Sequence, residues 1–164
     1  MESINPNTRL IFIHGLEGTS QGEKATLLRG LFPGMLTPDF RGTLDERMYQ
    51  LNAILSEKTG WTLIGSSLGG LMAAMFACQH PEQVERLVLL APALIWPDFA
   101  SSPPAPISVP TTIYHGTKDT LVPIQAVQTL AEKVFLNLSF HPVDDDHGLY
   151  QTIHAIDWLS LLKE

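Results

Sequence analysis

The sequence predicts an α/β fold in which one parallel sheet lies between two layers of helices. Three observations carry that expectation. Short runs dominated by Ile, Leu, Val and Phe alternate with longer segments at helical spacing along all 164 residues, the pattern of repeated strand–helix–strand units. The strand candidates are apolar almost continuously rather than at every second position, which suits strands covered on both faces. Hydrophobic residues make up 45% of the chain and charged residues 16%, enough apolar material to bury such a sheet. The length is that of one domain, and no repeat or linker divides 1–164.

Arg9-Leu-Ile-Phe-Ile-His14 reads as the first strand, closed by Gly15. From Gln21 to Phe32, Leu27, Leu28 and Leu31 fall at helical spacing, and Pro33-Gly34 stops that helix. Met35 to Asp39 is a short strand candidate. Thr43-Leu-Asp-Glu46 is a capping box, followed by Leu44, Met48, Leu51 and Leu55 on one helical face. Trp61 to Ser66 is the next strand, and Leu68 to His80 a helix apolar nearly all round, as a buried helix must be. Val84 to Leu90 and Thr111 to His115 are further strands, rich in residues that pack well on pleated surfaces. Pro123 opens a helix marked by Val127, Leu130, Ala131 and Val134. Asn137 to Pro142 is the last strand, and Leu149 to Leu162 a closing amphipathic helix.

One insertion interrupts the alternation. Ala93 to Pro110 holds five prolines together with Ile95, Trp96 and Phe99, and it is expected to fold as a short flap over the carboxyl edge of the sheet. Open sheets of this kind bind ligands at that edge.

Charge and composition narrow the partners. A formal charge of −7 with no Lys/Arg cluster disfavours nucleic acid and anionic membrane, and a small uncharged substrate fits better. The longest apolar stretch, Leu87 to Trp96, is ten residues and too short to span a bilayer as a helix. The amino-terminal segment through Gly15 has an early acidic residue and only the apolar run Leu10 to Ile13, unlike a secretory signal. Cys78 is the single cysteine, so no intramolecular disulfide forms, and a cytoplasmic location is expected. Cys78 itself reads as a core residue.

The chemistry-bearing signal is Gly65-Ser66-Ser67-Leu68-Gly69-Gly70, a Gly-x-Ser-x-Gly pattern between a buried strand and a buried helix. A nucleophile elbow needs that context, because its serine sits on a strained turn and the flanking glycines remove side chains that would collide. A serine hydroxyl becomes a competent nucleophile only when a base takes its proton. Of the six histidines, His147 follows the last strand and precedes the final helix, which places it at the carboxyl edge with Ser67. His154 lies within a helix, His80 ends one, His141 is inside a strand, and His14 and His115 end strands where they can be structural.

A carboxylate must fix the tautomer of the base. Asp119, in the loop after the penultimate strand, is the candidate, although an aspartate there can also cap the helix entering at Pro123. Asp144, Asp145 and Asp146 read as a solvated acidic loop, and no second ligand cluster makes them a metal site. The oxyanion needs donors: the Leu68 amide starts the elbow helix, and the Leu16 amide lies in the loop after the first strand. Gly15 and Glu17 of that loop are candidate substrate-binding residues. Trp96 and Phe99 either line an acyl pocket or pin the flap.

These motifs, Leu10-Ile-Phe-Ile-His-Gly-Leu16, Gly65-Ser-Ser-Leu-Gly-Gly70, His115-Gly-Thr-Lys-Asp119 and Asp146-His-Gly148, together resemble the α/β-hydrolases, and within them the small YqiA-type esterases. The resemblance covers nearly the whole chain. It implies a minimal α/β-hydrolase fold with about six parallel strands and no large cap. It also implies Ser67 as nucleophile, His147 as base, Asp119 as acid and the Leu16 and Leu68 amides as oxyanion hole. Asp39-Phe-Arg-Gly42 resembles a family loop beside the active site, with a structural turn as the simpler role for Asp39 and Arg41. The expected reaction is hydrolysis of short- to medium-chain carboxyl esters without metal or organic cofactor. The alternatives are a thioesterase acting on carrier-bound or coenzyme A acyl groups and a non-catalytic hydrolase-like binding protein.

Overall fold

The structure is a computed structural model that describes residues 8–163; residues 1–7, part of the segment read above against a secretory signal, and residue 164 lie outside it. Five strands hydrogen-bond side by side in chain order: β1 (Arg9–Ile13), β2 (Trp61–Ser66), β3 (Val84–Leu90), β4 (Thr111–Gly116) and β5 (Leu138–Val143). Every pairing is parallel, with Ile11 opposite Leu63, Leu63 opposite Leu87, and Leu87 opposite Thr111.

Alternate side chains on a strand point to opposite faces, so each strand feeds two cores. Ile11, Ile13, Leu63, Leu87, Leu89 and Ile113 pack with the helices α2 (Leu44–Leu55), α3 (Leu68–Gln79) and α5 (Ile124–Val134). Phe12, Ile64, Val88 and Leu90 pack instead with α1 (Glu23–Leu31) and the carboxyl-terminal residues Leu149, Ile153, Trp158 and Leu162. The result is the predicted three-layer sandwich. The burial of β2 at every position and of β3 from Leu87 to Leu90 is the mark of this double coverage, and α3 is buried nearly all round because it sits between α2 and the sheet centre.

Three expectations need correction. Among the described residues the sheet has five strands rather than about six, because the Met35–Asp39 segment makes only one isolated bridge, Leu36 to Ile11. Pro38 has no amide to continue the ladder, and Asp39 turns away to bind the Ser20 amide and hydroxyl. The single bridge nonetheless carries the chain outside β1, so that α1 lies on one face and α2 returns on the other.

The closing helix is two pieces, α6 (Tyr150–Ala155) and α7 (Trp158–Leu161). Ile156 is extended and Asp157 starts the second piece by accepting from the Ser160 amide at 3.1 Å. Only the start of the 93–110 insertion stays at the carboxyl edge. After α4 (Pro97–Ala100) the chain runs back toward the amino edge, where Ile107 exchanges hydrogen bonds with Val134 and Leu136. Phe99, Ile107 and Val109 are buried in the α2/α3/α5 core along the way.

Candidate active site

Four strand ends supply the site: β1 leads to Gly15, β2 to Ser67, β4 to Asp119 and β5 to His147. Ser67 is the residue before α3 and has φ 55° and ψ −114°, a conformation strained for any residue with a side chain. The strain is held by its neighbours. Its amide donates to Leu90 O at 2.9 Å, and its carbonyl accepts from the Ala93 and Leu71 amides at 3.0 and 3.1 Å. Glycine is required on both sides: a Cβ at Gly65 would sit 2.3 Å from Gly69 O, and one at Gly69 would sit 2.0 Å from Ile13 O. The sharp turn lifts the Ser67 hydroxyl above the sheet edge.

Ser67 Oγ lies 2.9 Å from His147 Nε2, and His147 Nδ1 lies 2.7 Å from Asp119 Oδ2. The Asp119 side chain is fully buried and the His147 side chain is 23% exposed. A carboxylate oxygen can only accept here, so His147 carries its proton on Nδ1 and presents the lone pair of Nε2 to Ser67. Asp119 has a second duty, as its Oδ1 accepts from the Leu121 and Val122 amides at 2.9 and 2.8 Å. Asp119 thus turns one oxygen to the loop amides and the other to His147, and it does not cap α5, which begins after Pro123 without a side-chain cap. The acidic run is structural: Asp145 accepts from the Thr152 amide and hydroxyl, Asp146 from the Gly148 amide, and Asp144 pairs with Lys118 at 2.8 Å. These bonds shape the loop that carries His147.

The loop after β1 approaches Ser67 from the other side, since a Cβ on Gly15 would lie 3.3 Å from Ser67 Cβ. Gly18 donates to Gly15 O at 3.1 Å, closing a turn over Leu16 and Glu17 and leaving the Leu16 amide outside that turn bond. The Leu68 amide opens α3 and has no intrahelical acceptor. Leu16 and Leu68 both line the same opening as Ser67.

Residues 18–106, just over half of the chain, match the family model described as the alpha/beta hydrolase fold. The chain belongs to that family. Solved structures of similar architecture include alpha/beta hydrolase domain-containing protein 10 from mouse, 20% identical, with 94% of this chain and 88% of that one covered and a TM-score of 0.79. A protein assigned to the alpha/beta hydrolase superfamily from Xanthomonas campestris pv. campestris is 27% identical, with coverage of 95% and 97% and a TM-score of 0.77. Est1E from Butyrivibrio proteoclasticus, solved with ferulic acid bound, is 18% identical, with coverage of 97% and 91% and a TM-score of 0.72. No curated protein matches in sequence.

In this α/β-hydrolase an open cavity of about 480 Å³ surrounds Ser67 and His147. Gly15, Leu16, Glu17 and Trp96 line it, joined by Ile95, Leu121 and Tyr150. Phe99 does not reach it. That side chain is 1% exposed and belongs to the core under the flap, so it pins the segment rather than lining the cavity, whereas Trp96 is 36% exposed and faces the opening.

Several residues of the site were not singled out by sequence. Lys24 lines the cavity with its ammonium 4.6 Å from the Tyr150 ring centroid. Burial lowers its pKa, outweighing the opposing pull of Glu23, Asp145 and Asp146. His115 is fully buried beside Asp119, its Nε2 2.8 Å from Val122 O and 3.3 Å from Asp119 Oδ2. Two acceptors make Nε2 the donor, and Nδ1 is left buried without a partner among the described residues. Burial holds the His115 pKa below the ordinary range, against the Val122 and Asp119 interactions that raise it.

The other histidines are engaged elsewhere. His154 contacts Glu23 at 2.8 Å, His141 stacks on Tyr114, and His80 lies 3.8 Å from Glu82. His14 Nε2 accepts from the Phe40 amide at 2.9 Å, and its Nδ1–H donates to Gly15 O at 2.7 Å. Among the described residues no group of three or more His, Cys, Asp or Glu is placed to hold a metal ion, and no helix is long and apolar enough to cross a membrane.

Proposed function

We propose that this chain is a serine esterase in which Ser67, His147 and Asp119 hydrolyse short- to medium-chain carboxyl esters through an acyl-enzyme. The observation that carries the reading is the unbroken hydrogen-bonded line from Ser67 Oγ through His147 to buried Asp119, at 2.9 and 2.7 Å. His147 Nε2 takes the hydroxyl proton as Ser67 Oγ bonds to the ester carbonyl carbon. The carbonyl electrons move onto oxygen, where the Leu16 and Leu68 amides receive the charge. Collapse expels the alcohol, which leaves with the proton held on Nε2. Water then enters, gives a proton to Nε2 and attacks the acyl carbonyl, and the acid departs as Ser67 is reprotonated. Each step needs only these side chains and amides.

The cavity supports the acyl preference. Its walls are mostly apolar, from Leu16, Ile95, Trp96, Leu121 and Tyr150, and it is open to solvent with no large cap to enclose a long chain. Hydrolysis of p-nitrophenyl esters from acetate to decanoate, compared with a folded Ser67→Ala control, tests the reading. We expect activity that depends on Ser67 and peaks at short or medium acyl groups. A steep rise in kcat/KM toward decanoate refutes the acyl preference. Activity on acyl thioesters alone, still dependent on Ser67, transfers the same chemistry to a thioesterase.

A further inference from the structure

We infer that Arg47 is a positioning residue for the oxyanion-binding peptide, acting from behind the loop that faces Ser67; this rests on the reading of Ser67 as nucleophile. Arg47 is only 5% exposed, and among the described residues no carboxylate pairs with it. A buried guanidinium with no counter-ion is costly unless its donors are used. Its donors go to main-chain carbonyls: Nε to Gly42 O at 3.0 Å, Nη1 to Gly15 O at 3.5 Å and Nη2 to Leu16 O at 3.4 Å.

The direction of those bonds matters. In a trans peptide the N–H points opposite to the C=O, and the described chain contains no cis peptide. Gly15 O accepts from His14 Nδ1–H at 2.7 Å and the Gly18 amide at 3.1 Å, with Arg47 Nη1 as the longer third donor at 3.5 Å, so the Leu16 N–H of the same peptide is turned the opposite way. Arg47 lines a separate polar cavity with His14, Asp39 and Arg41 and does not line the one containing Ser67. The guanidinium and the hydroxyl thus lie on opposite sides of the Gly15–Leu16 peptide. Arg47 holds the Leu16 amide aimed at the developing oxyanion before substrate arrives and never touches substrate. Its charge at the carbonyl end also polarises the peptide in the sense that strengthens the N–H as a donor.

The test compares wild type with Arg47→Met, which keeps an apolar stem, and Arg47→Lys, which keeps the charge without the fork. Measured are the thermal midpoint, kcat and KM on p-nitrophenyl acetate, and affinity for a phenylboronic acid, which forms a tetrahedral adduct on serine. Removing an oxyanion donor outright costs about 100- to 1,000-fold in kcat, so loosening one should cost about 10- to 100-fold in folded Arg47→Met. KM should stay within about twofold, and boronic acid affinity should fall by the factor lost in kcat/KM. Arg47→Lys should be intermediate in both readouts, and it carries the test alone if Arg47→Met does not fold. Unchanged kcat with wild-type boronic acid affinity overturns the proposal, as does a rise in KM alone. If wild type forms no Ser67 adduct at all, the esterase reading has failed. The positioning claim then stands or falls on the Leu16 amide resonance, which should move in Arg47→Lys and refutes the claim if it does not.

Discussion

Replacing Asp119 by Asn changes one heavy atom, yet it should remove most of the activity. The side chain is fully buried and its two oxygens have different clients: Oδ1 accepts from the Leu121 and Val122 amides, while Oδ2 faces His147 Nδ1 and His115 Nε2. An asparagine must choose. Turning its NH2 toward Leu121 and Val122 would set donors against two amide donors, so the oxygen stays there and the NH2 faces His147, with the His115 Nε2–H left to its shorter bond with Val122 O. The imidazole then accepts on Nδ1 and carries its proton on Nε2, where it donates to Ser67 instead of accepting from it. A base in the wrong tautomer is expected to lose about 10³- to 10⁴-fold in kcat, or about 4–5.5 kcal/mol at about 1.4 kcal/mol per decade. The assay is steady-state hydrolysis of p-nitrophenyl acetate on folded protein, with the His147 ring nitrogens followed by NMR. A folded Asp119→Asn within tenfold of wild type, or one that keeps the proton on Nδ1, refutes the reasoning.

Three further outcomes follow from the packing. Burial pushes the Cys78 thiol up to about 12, so at pH 8 on the order of one molecule in ten thousand carries the thiolate. Iodoacetamide should therefore modify native protein far more slowly than unfolded protein, and rapid stoichiometric alkylation of the native state contradicts this. Because the His115 pKa is lowered from 6.5 in the folded state, the unfolded chain binds that proton first as pH falls. The stability His115 contributes is complete above about pH 6.5 and is lost as pH falls through the depressed value. A wild-type melting temperature that falls no more steeply below pH 6.5 than that of His115→Gln would exclude the effect. Phe99→Ala should cost about 3–5 kcal/mol of stability by emptying a core site while leaving the folded enzyme's acyl preference intact. Trp96→Ala should do the reverse, changing acyl preference with little loss of melting temperature, and equal effects of the two substitutions would remove the distinction.

The elements most legible in sequence were those with a single physical demand. Trp61–Ser66 and the run Leu87–Leu90 are buried on both sides because both sides are covered, and the elbow glycines are irreplaceable because backbone carbonyls lie 2.3 Å or less from where a Cβ would go. Elements set by tertiary competition were less legible. Met35–Asp39 has strand character, but Pro38 and the Asp39–Ser20 bonds limit it to one bridge. The closing helix has a continuous helical pattern that the Asp157 cap divides. Phe99 and Trp96 look alike in a proline-rich segment, and only the path of the chain after Ala100 sends one inward.

The site followed the same division. That Ser67, Asp119 and His147 meet in one hydrogen-bonded line could be anticipated from their order and strand ends. Lys24 could not, because its place depends on how α1 approaches Tyr150. Arg47 had left a trace: it falls three residues after Leu44 and four before Leu51, on the apolar face of α2, where a charge calls for an explanation.

The central claim is that Ser67 is a nucleophile activated by His147 and Asp119. Its most direct test is a fluorophosphonate probe, followed by intact-mass and peptide mass spectrometry on wild type, Ser67→Ala and His147→Ala. The account predicts one adduct per wild-type chain, on Ser67, absent from Ser67→Ala and formed far more slowly by His147→Ala. Folded wild type that never acquires the adduct, or acquires it on another residue, would contradict the account.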